Sequence, residues 1–384
     1  MKKTVCVLLS MVAMGFLFVG PGTKAAFSQD TIKIGVFGPM SGGAAYQGQS
    51  EREGVEVVAS EVNAAGGIFG KKIELIIGDD AGKPDEAVNV VNRFITKDNV
   101  LMVIGSISSP CSFAASEVTR RYQIPHIIVA GTAARITLQG NEWLFRSASP
   151  DTKLCGDFVE FINEKYPKIK KFSFLYVNDD FGKGGYDAFV KAGSKHGYQI
   201  AIAEKYTRGD LDFTAQLTRI KMSGAQALVE WSRYSEAILI KRQMRSMGIE
   251  LPHFGSDGHS IPKYLELAGE AANGVYYPTH WSPATSAHIK TSQDFMKKIK
   301  NAFNKEPDAM TAEAYDAANI AVQAIKDAGS LDRAKIRDAI RAIKYKSVRG
   351  DMRFDKNGDP ILETHVVKVV NGKEANGRTE PVLK

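Results

Sequence analysis

The residues best placed to do chemistry are polar ones that follow short apolar runs: Ser41, Asp79, Ser108, Ser109, Thr132, Asp180, Trp231 and Asp257. If those runs are parallel strands, these positions lie at the carboxyl ends of a sheet, where open α/β sheets hold their ligands. Ser109 and Thr132 stand on successive strand-to-helix turns. Their hydroxyls, with the helical N–H groups beside them, suit a carboxylate. Either alone is equally an ordinary helix cap. Reaction chemistry is harder to find. The seven histidines form no HExxH or other tight ligand spacing, and there is no CxxC pair, no GxSxG elbow and no Walker A loop. Gly38-Pro39-Met40-Ser41-Gly42-Gly43 resembles a phosphate loop but lacks its terminal Lys-Ser/Thr, and Gly182-Lys183-Gly184-Gly185 is no better, so both read as strand-to-helix turns. The residues imply reversible capture of a small molecule, without catalysis, cofactor or metal.

The elements that must position them alternate regularly. Strands are expected at Thr31–Phe37, Lys72–Ile77, Val100–Gly105 and His126–Val129, with helices from the turn after Gly43 through Asn63, over Lys83–Lys97 and from Ser109. After Phe145-Arg146 the alternation restarts. Helices are expected at 152–165, 184–196, 212–222 and 235–247, and strands at 171–177, 199–204, 227–231 and 253–255. Two such units imply two Rossmann-like lobes, each with a parallel sheet. The last third differs, with amphipathic helices over 292–304, 312–328 and 331–343, then strands around the turn Lys356-Asn357-Gly358-Asp359. For these to pack, the chain must cross back to the first lobe and return, and several crossings make a hinge with a cleft.

The first residues set the compartment. A basic start, Met1-Lys2-Lys3, leads into an apolar run from Val5 to Gly20 and small residues about Ala25-Ala26, the layout of a secretory signal peptide cleaved near Ser28. Removing 28 of 384 residues leaves 356, enough for two cores. The formal charge of +7 loses Lys2, Lys3 and Lys24 and falls to +4, spread among acids. That is a solvated surface, not a nucleic-acid patch. Cys111 and Cys155 remain, and their spacing leaves open whether they pair.

At the strand ends the chain resembles the periplasmic leucine/isoleucine/valine-binding proteins, the capture subunits of branched-chain amino acid ABC transporters. The resemblance rests on the order and spacing of IGVFGPMSG (34–42), NAAGGI (63–68), Asp79-Asp80, VIGSISS (103–109), VAGTA (129–133), Phe145-Arg146, NDDFGKG (178–184) and AYDA (314–317). It implies a type I periplasmic binding protein fold, with a first lobe of 29–146 and 281–358 and a second of 147–280 and 359–384. It implies a monomer in the periplasm that binds an amino acid, branched-chain or otherwise hydrophobic, and docks on a membrane permease driven by an ATPase. By the same resemblance Ser109, Ala130 and Thr132 hold the ligand's carboxylate and ammonium. Asp257 pairs with the ammonium, and Phe181, Trp231 and Tyr46 wall the side chain. Three departures bear on specificity: Phe181 replaces the more typical Tyr, Trp231 and Arg233 stand where smaller residues are usual, and Asp257 is shorter than the usual Glu. Phe181 could equally be core, Arg233 a surface charge or a partner of Asp257 or Glu236, and Asp257 a cap. Arg233 inside the cleft would favour an extra carboxylate on the ligand. Relatives that take aromatic acids or amides, or act as sensors, keep those ligand classes open.

Overall fold

The computed structural model describes residues 31–381; the expected signal peptide and the last three residues lie outside them. The first lobe is built on a five-stranded parallel sheet of β1 (Ile32–Gly38), β2 (Ile73–Asp79), β3 (Met102–Gly105), β4 (His126–Ile128) and β5 (Leu144–Arg146), ordered β2-β1-β3-β4-β5. Its strands are apolar on both sides because both faces are covered. On one face lie α1 (Ala45–Ala64) and three helices from the far end of the chain. On the other lie α2 (Pro84–Thr96) and α3 (Ser109–Arg121), whose Val91, Phe94 and Ala115 form a separate core with Phe37 and Val103. The short α4 (Arg135–Leu138) precedes β5.

The second lobe begins with α5 (Asp151–Lys165) and holds β6 (Lys171–Val177), α6 (Asp180–Gly193), β7 (Gln199–Tyr206), α7 (Thr214–Met222), β8 (Ala227–Trp231), α8 (Tyr234–Ser246), β9 (His253–Phe254), α9 (Pro262–Ala268) and β10 (Tyr276–Thr279). The chain then returns to the first lobe. After α10 (Pro283–Ser286) come α11 (Lys290–Phe303), α12 (Ala309–Ala328) and α13 (Arg333–Ala342), with α12 packed along α1. Gly54 permits that approach, since a Cβ there would sit 2.5 Å from the Thr311 carbonyl oxygen. A small ribbon, β11 (Tyr345–Ser347) and β12 (Gly350–Met352), leads to β13 (His365–Val370) and β14 (Lys373–Asn376). These two complete the second sheet in the order β14-β13-β10-β9-β8-β6-β7 and run antiparallel, so that sheet is parallel only through β10.

Most elements lie within three residues of their expected bounds. The largest shift is α6, which begins at Asp180 and not Gly184. The Asp179 carboxylate caps it by accepting from the Phe181 and Gly182 amides, at 2.9 and 3.1 Å. Among the strands, β5, β10, β11 and β14 were not foreseen, whereas β12 and β13 fall about the Lys356–Asp359 turn where strands were expected. The unforeseen runs are short, those of β10, β14 and β11 interrupted by Pro278, Lys373 or Lys346, and only the partner strands define them.

The crossings are tied by buried charge. Arg146, at the end of β5, is fully buried and donates through Nε and Nη2 to Asp359 Oδ1 at 2.9 and 2.6 Å, and through Nη1 to the Gly131 and Ala133 carbonyls. Arg349 binds Asp316 at 2.8 Å and both oxygens of Ser147. His280 Nδ1 lies 2.6 Å from Glu313 Oε1. Cys111 and Cys155 are buried, free thiols.

Candidate functional site

The carboxyl ends of both sheets face one cavity of about 30 Å³. First-lobe turns contribute Pro39, Gln47, Ser108 and Ala130, and second-lobe turns contribute Phe181, Arg208, Arg233 and Asp257. Larger grooves exist, one of about 580 Å³ beside Trp143 and Arg333 and one of about 820 Å³ beside Tyr166 and His253. Those two are each lined from a single lobe; two others, of about 360 and 220 Å³, take residues from both lobes, but the small cavity is lined by the turns after three first-lobe strands and four second-lobe strands. Direct contacts close the lobes around it. Arg208 Nη1 donates to the Gly82 carbonyl at 2.7 Å, Tyr234 Oη donates to the Gly43 carbonyl at 2.9 Å, and Arg135 pairs with Asp180.

The structure divides the expected site residues into three groups. Ala130, Phe181, Arg233 and Asp257 line the cavity. Ser109 and Tyr46 do not, but the residues beside them do. On α1 one residue rotates a side chain by about 100°, so Gln47 faces inward, and Ser108, the extended residue just before α3, lines the cavity in place of Ser109. The half-buried Tyr46 packs edge-on to Tyr234 at 6.4 Å, and Ser109 Oγ accepts from the Ala133 amide at 3.2 Å. Thr132 and Trp231 form the third group. Both are fully buried and converge on the Asp151 carboxyl behind the cavity, with Trp231 backing Phe181 at 6.2 Å between ring centres. Gly185 makes room for that indole: a Cβ there would lie 2.2 Å from Trp231 Nε1.

The turns are set by their own hydrogen bonds. Asp79 Oδ1 accepts from the amides of Met40 (2.9 Å), Ser41 (3.3 Å) and Ala81 (2.7 Å), clamping the turn between β1 and α1. Partial burial opposes its charge, but bonds from Ser41, Ala81 and Met40 outweigh that and hold the carboxyl below its usual range. Across the cleft, Arg233 Nη1 lies 2.9 Å from Asp179 Oδ2, and its guanidinium sits 5.1 Å from the Phe181 ring centre. Asp179, and not Asp257 or Glu236, is therefore its partner.

Comparison with known proteins fits this geometry. The periplasmic binding protein family model matches residues 31–374. The chain belongs to the periplasmic binding protein family. Among relatives, a leucine-, isoleucine-, valine-, threonine- and alanine-binding protein of Pseudomonas aeruginosa is 29% identical over 338 residues, 87% of this chain and 88% of that one. A leucine binding protein, LivK, from Thermotoga maritima superposes with a TM-score of 0.84 at 29% identity, covering 90% of this chain and 97% of the other. The branched-chain amino acid transporter substrate binding protein LivJ from Streptococcus pneumoniae, solved with isoleucine, gives 0.83 at 29% identity, covering 90% and 98%. The type I fold with two lobes follows, as does the resemblance to the leucine/isoleucine/valine-binding proteins. No helix of the described residues is long and apolar enough to cross a membrane.

Beneath the cleft of this periplasmic binding protein runs a set of buried acids that sequence reading did not assemble. Burial pushes Asp257 up to about 6, with Glu313 adding and His280 subtracting. Asp151 is held well above the carboxylate range by burial and then by Asp257. Glu51 is raised by burial, Asp80 and Glu313. Asp257 Oδ1 and both oxygens of Asp151 and Glu51 make no hydrogen bond of good geometry within the protein. Such a site is short of positive charge on this side, and a ligand ammonium would supply it. Elsewhere in the second lobe, Glu230, His253 and His259 form a buried trio, with Glu230 Oε2 at 2.7 Å from His253 Nε2 and 3.8 Å from His259 Nε2. Burial opposes the Glu230 charge, but the two imidazoles hold its carboxyl down at about 2. No sequence spacing marks this trio. Strands β8 and β9 and the turn after β9 bring it together.

Proposed function

We propose that the protein is the extracytoplasmic solute-binding subunit of an ABC transporter, capturing a small amino acid in the interlobe cleft by hinge closure and delivering it to a membrane permease. The observation that carries this reading is the cavity to which both lobes contribute strand-end residues, with Asp257 at its edge lacking a full set of partners. On this reading the turns carrying Ser109, Ala130 and Thr132 hold the α-carboxylate, and Asp257 receives the ammonium. Phe181, backed by Trp231, forms a wall for the ligand. A cavity of about 30 Å³ has room for one or two waters. An amino acid therefore enters only when the lobes part, which makes opening and closing part of the binding event.

The test is calorimetric titration of protein unfolded and refolded to strip carried-over ligand, with scattering to follow compaction. The panel holds aliphatic, aromatic and acidic amino acids with amine-free acids and amides. One-to-one binding of an amino acid with a fall in radius of gyration supports the reading. Binding confined to amine-free acids or amides removes Asp257 from ammonium duty and reassigns the ligand class.

A further inference from the structure

We propose that Arg208 and Arg233 form a second anion subsite in this cleft, so that the preferred solute carries a carboxylate on its side chain, as in an acidic amino acid. The proposal rests on the reading of the cleft as an amino acid site and specifies what lies at its far end.

Both guanidiniums come from second-lobe turns and line the same cavity. Arg233 follows β8 and is only 8% exposed. Arg208 follows β7 and is half-buried. Asp179 balances Arg233, but Arg208 is left without a direct counter-ion. Arg233 has Asp179 within 2.9 Å, which outweighs its burial and keeps it charged, while its Nη1 retains capacity for a further acceptor. Arg208 has no carboxylate within 4.0 Å among the described residues, and its recorded hydrogen bond is to the neutral Gly82 carbonyl. Burial, and then the charge of Arg233, lower its pKa, and the more distant Glu236 and Asp179 offset this only in part. A partly buried cation without a counter-ion is unfavourable. A ligand carboxylate removes that cost and matches the planar fork of a guanidinium.

The surrounding groups fit an anion better than a hydrocarbon. Ser108 Oγ is buried without a partner, and Gln47 offers an amide from the opposite lobe. Phe181 lies against the guanidinium of Arg233 and limits its movement without neutralising it. A leucine side chain placed here would strip water from Arg208 and return no charge. Asp257 is on the same cavity, so one ligand spans both signs: ammonium toward Asp257, second carboxylate toward the arginines.

The discriminating comparison is glutamate against glutamine and leucine, by calorimetry on the ligand-stripped protein. Glutamate and glutamine share shape and differ in the charge the subsite reads. The expected result is glutamate or aspartate binding at least tenfold tighter than glutamine or leucine. Arg208→Met and Arg233→Met should each reduce the glutamate-to-glutamine affinity ratio at least tenfold; the ratio is the readout, because Arg208 also bridges the lobes to Gly82 and its loss lowers affinity for every ligand alike. Arg208→Lys, which keeps a charge and guards against a misfolded Met variant, should retain part of the preference. Leucine binding tighter than glutamate overturns the subsite and leaves the amino acid reading intact. So does a glutamate preference that survives both Met variants. Failure of every amino acid to bind overturns both readings.

Discussion

Asp257→Asn tests the electrostatics of the cleft through folding as well as binding. Asp257 is 4% exposed, and burial lifts its carboxyl from 3.8 to about 6. That displacement corresponds to about 3 kcal/mol when the group is charged in the ligand-free protein. The sign follows from proton counting. Between about pH 4 and pH 6 the native state keeps a proton that the unfolded chain has released, so stability falls as pH rises through that window. Above pH 6 the loss is complete. Asparagine never ionises, so the variant should be more stable than the parent by about 1–3 kcal/mol at pH 7.5, and the two should coincide near pH 4. Urea unfolding of ligand-free protein at pH 4, 5, 6 and 7.5 measures this directly. Glu51 and Asp80 titrate in both proteins and cancel in the difference; Asp151, which the Asp257 charge raises, is relieved in the variant and adds to the gain in the same direction. Binding should move the opposite way, since an ammonium restores the missing counter-charge. Affinity for amine-bearing ligands should drop about tenfold per pH unit below 6 as protons compete for Asp257. An asparagine variant no more stable than the parent at pH 7.5, or a gain that persists at pH 4, would refute the assignment.

Thr132→Ala should weaken amino acid binding at least tenfold, about 1.4 kcal/mol, by calorimetry; a change under twofold removes Thr132 from the site. Glu230→Gln should lower stability by about 1–3 kcal/mol in denaturant unfolding at neutral pH, because it replaces the charged acceptor of a buried hydrogen bond from His253 with a neutral amide. Gly185→Ala should cost about 1–3 kcal/mol and alter tryptophan fluorescence, since its methyl group would collide with the Trp231 indole; an unchanged emission spectrum counts against that packing.

The alternation of β-branched runs and amphipathic stretches was enough to read two α/β units, because strands buried on both faces leave a continuous apolar signal. β14 leaves none: Lys-Glu-Ala-Asn becomes a strand only because β13 lies beside it. Site residues at strand termini could be located to within one position but not oriented. Gln47 and Ser108 show the limit, each adjacent to the residue that resemblance indicates. The resolving information is the phase of α1 about its axis and the point where the extended chain at Ser108 turns into α3, both fixed by tertiary packing. Arg208, Asp151 and Glu51 carried no motif at all. Their importance comes from burial and from what faces them, and neither quantity exists until the lobes are assembled.

Arg208 also connects specificity with motion. Apart from the buried ties at the crossings, the three polar contacts described above bridge the lobes around the cavity, and opening exposes them to water. The Arg135–Asp180 pair is well exposed and contributes at most about 1 kcal/mol. The Arg208–Gly82 and Tyr234–Gly43 bonds add about 0.5–1.5 kcal/mol each. Closure of the ligand-free protein is thus favoured by only a few kcal/mol from these contacts, and the buried charges of Asp257 and Arg208 work against it. A solute that neutralises both would shift the balance decisively, because its charges are satisfied only when the two lobes face each other. A neutral, apolar solute would leave the arginine uncompensated and close the cleft less completely. The same side chain that latches the lobes through Gly82 would then report, by its own charge, whether the right ligand is inside.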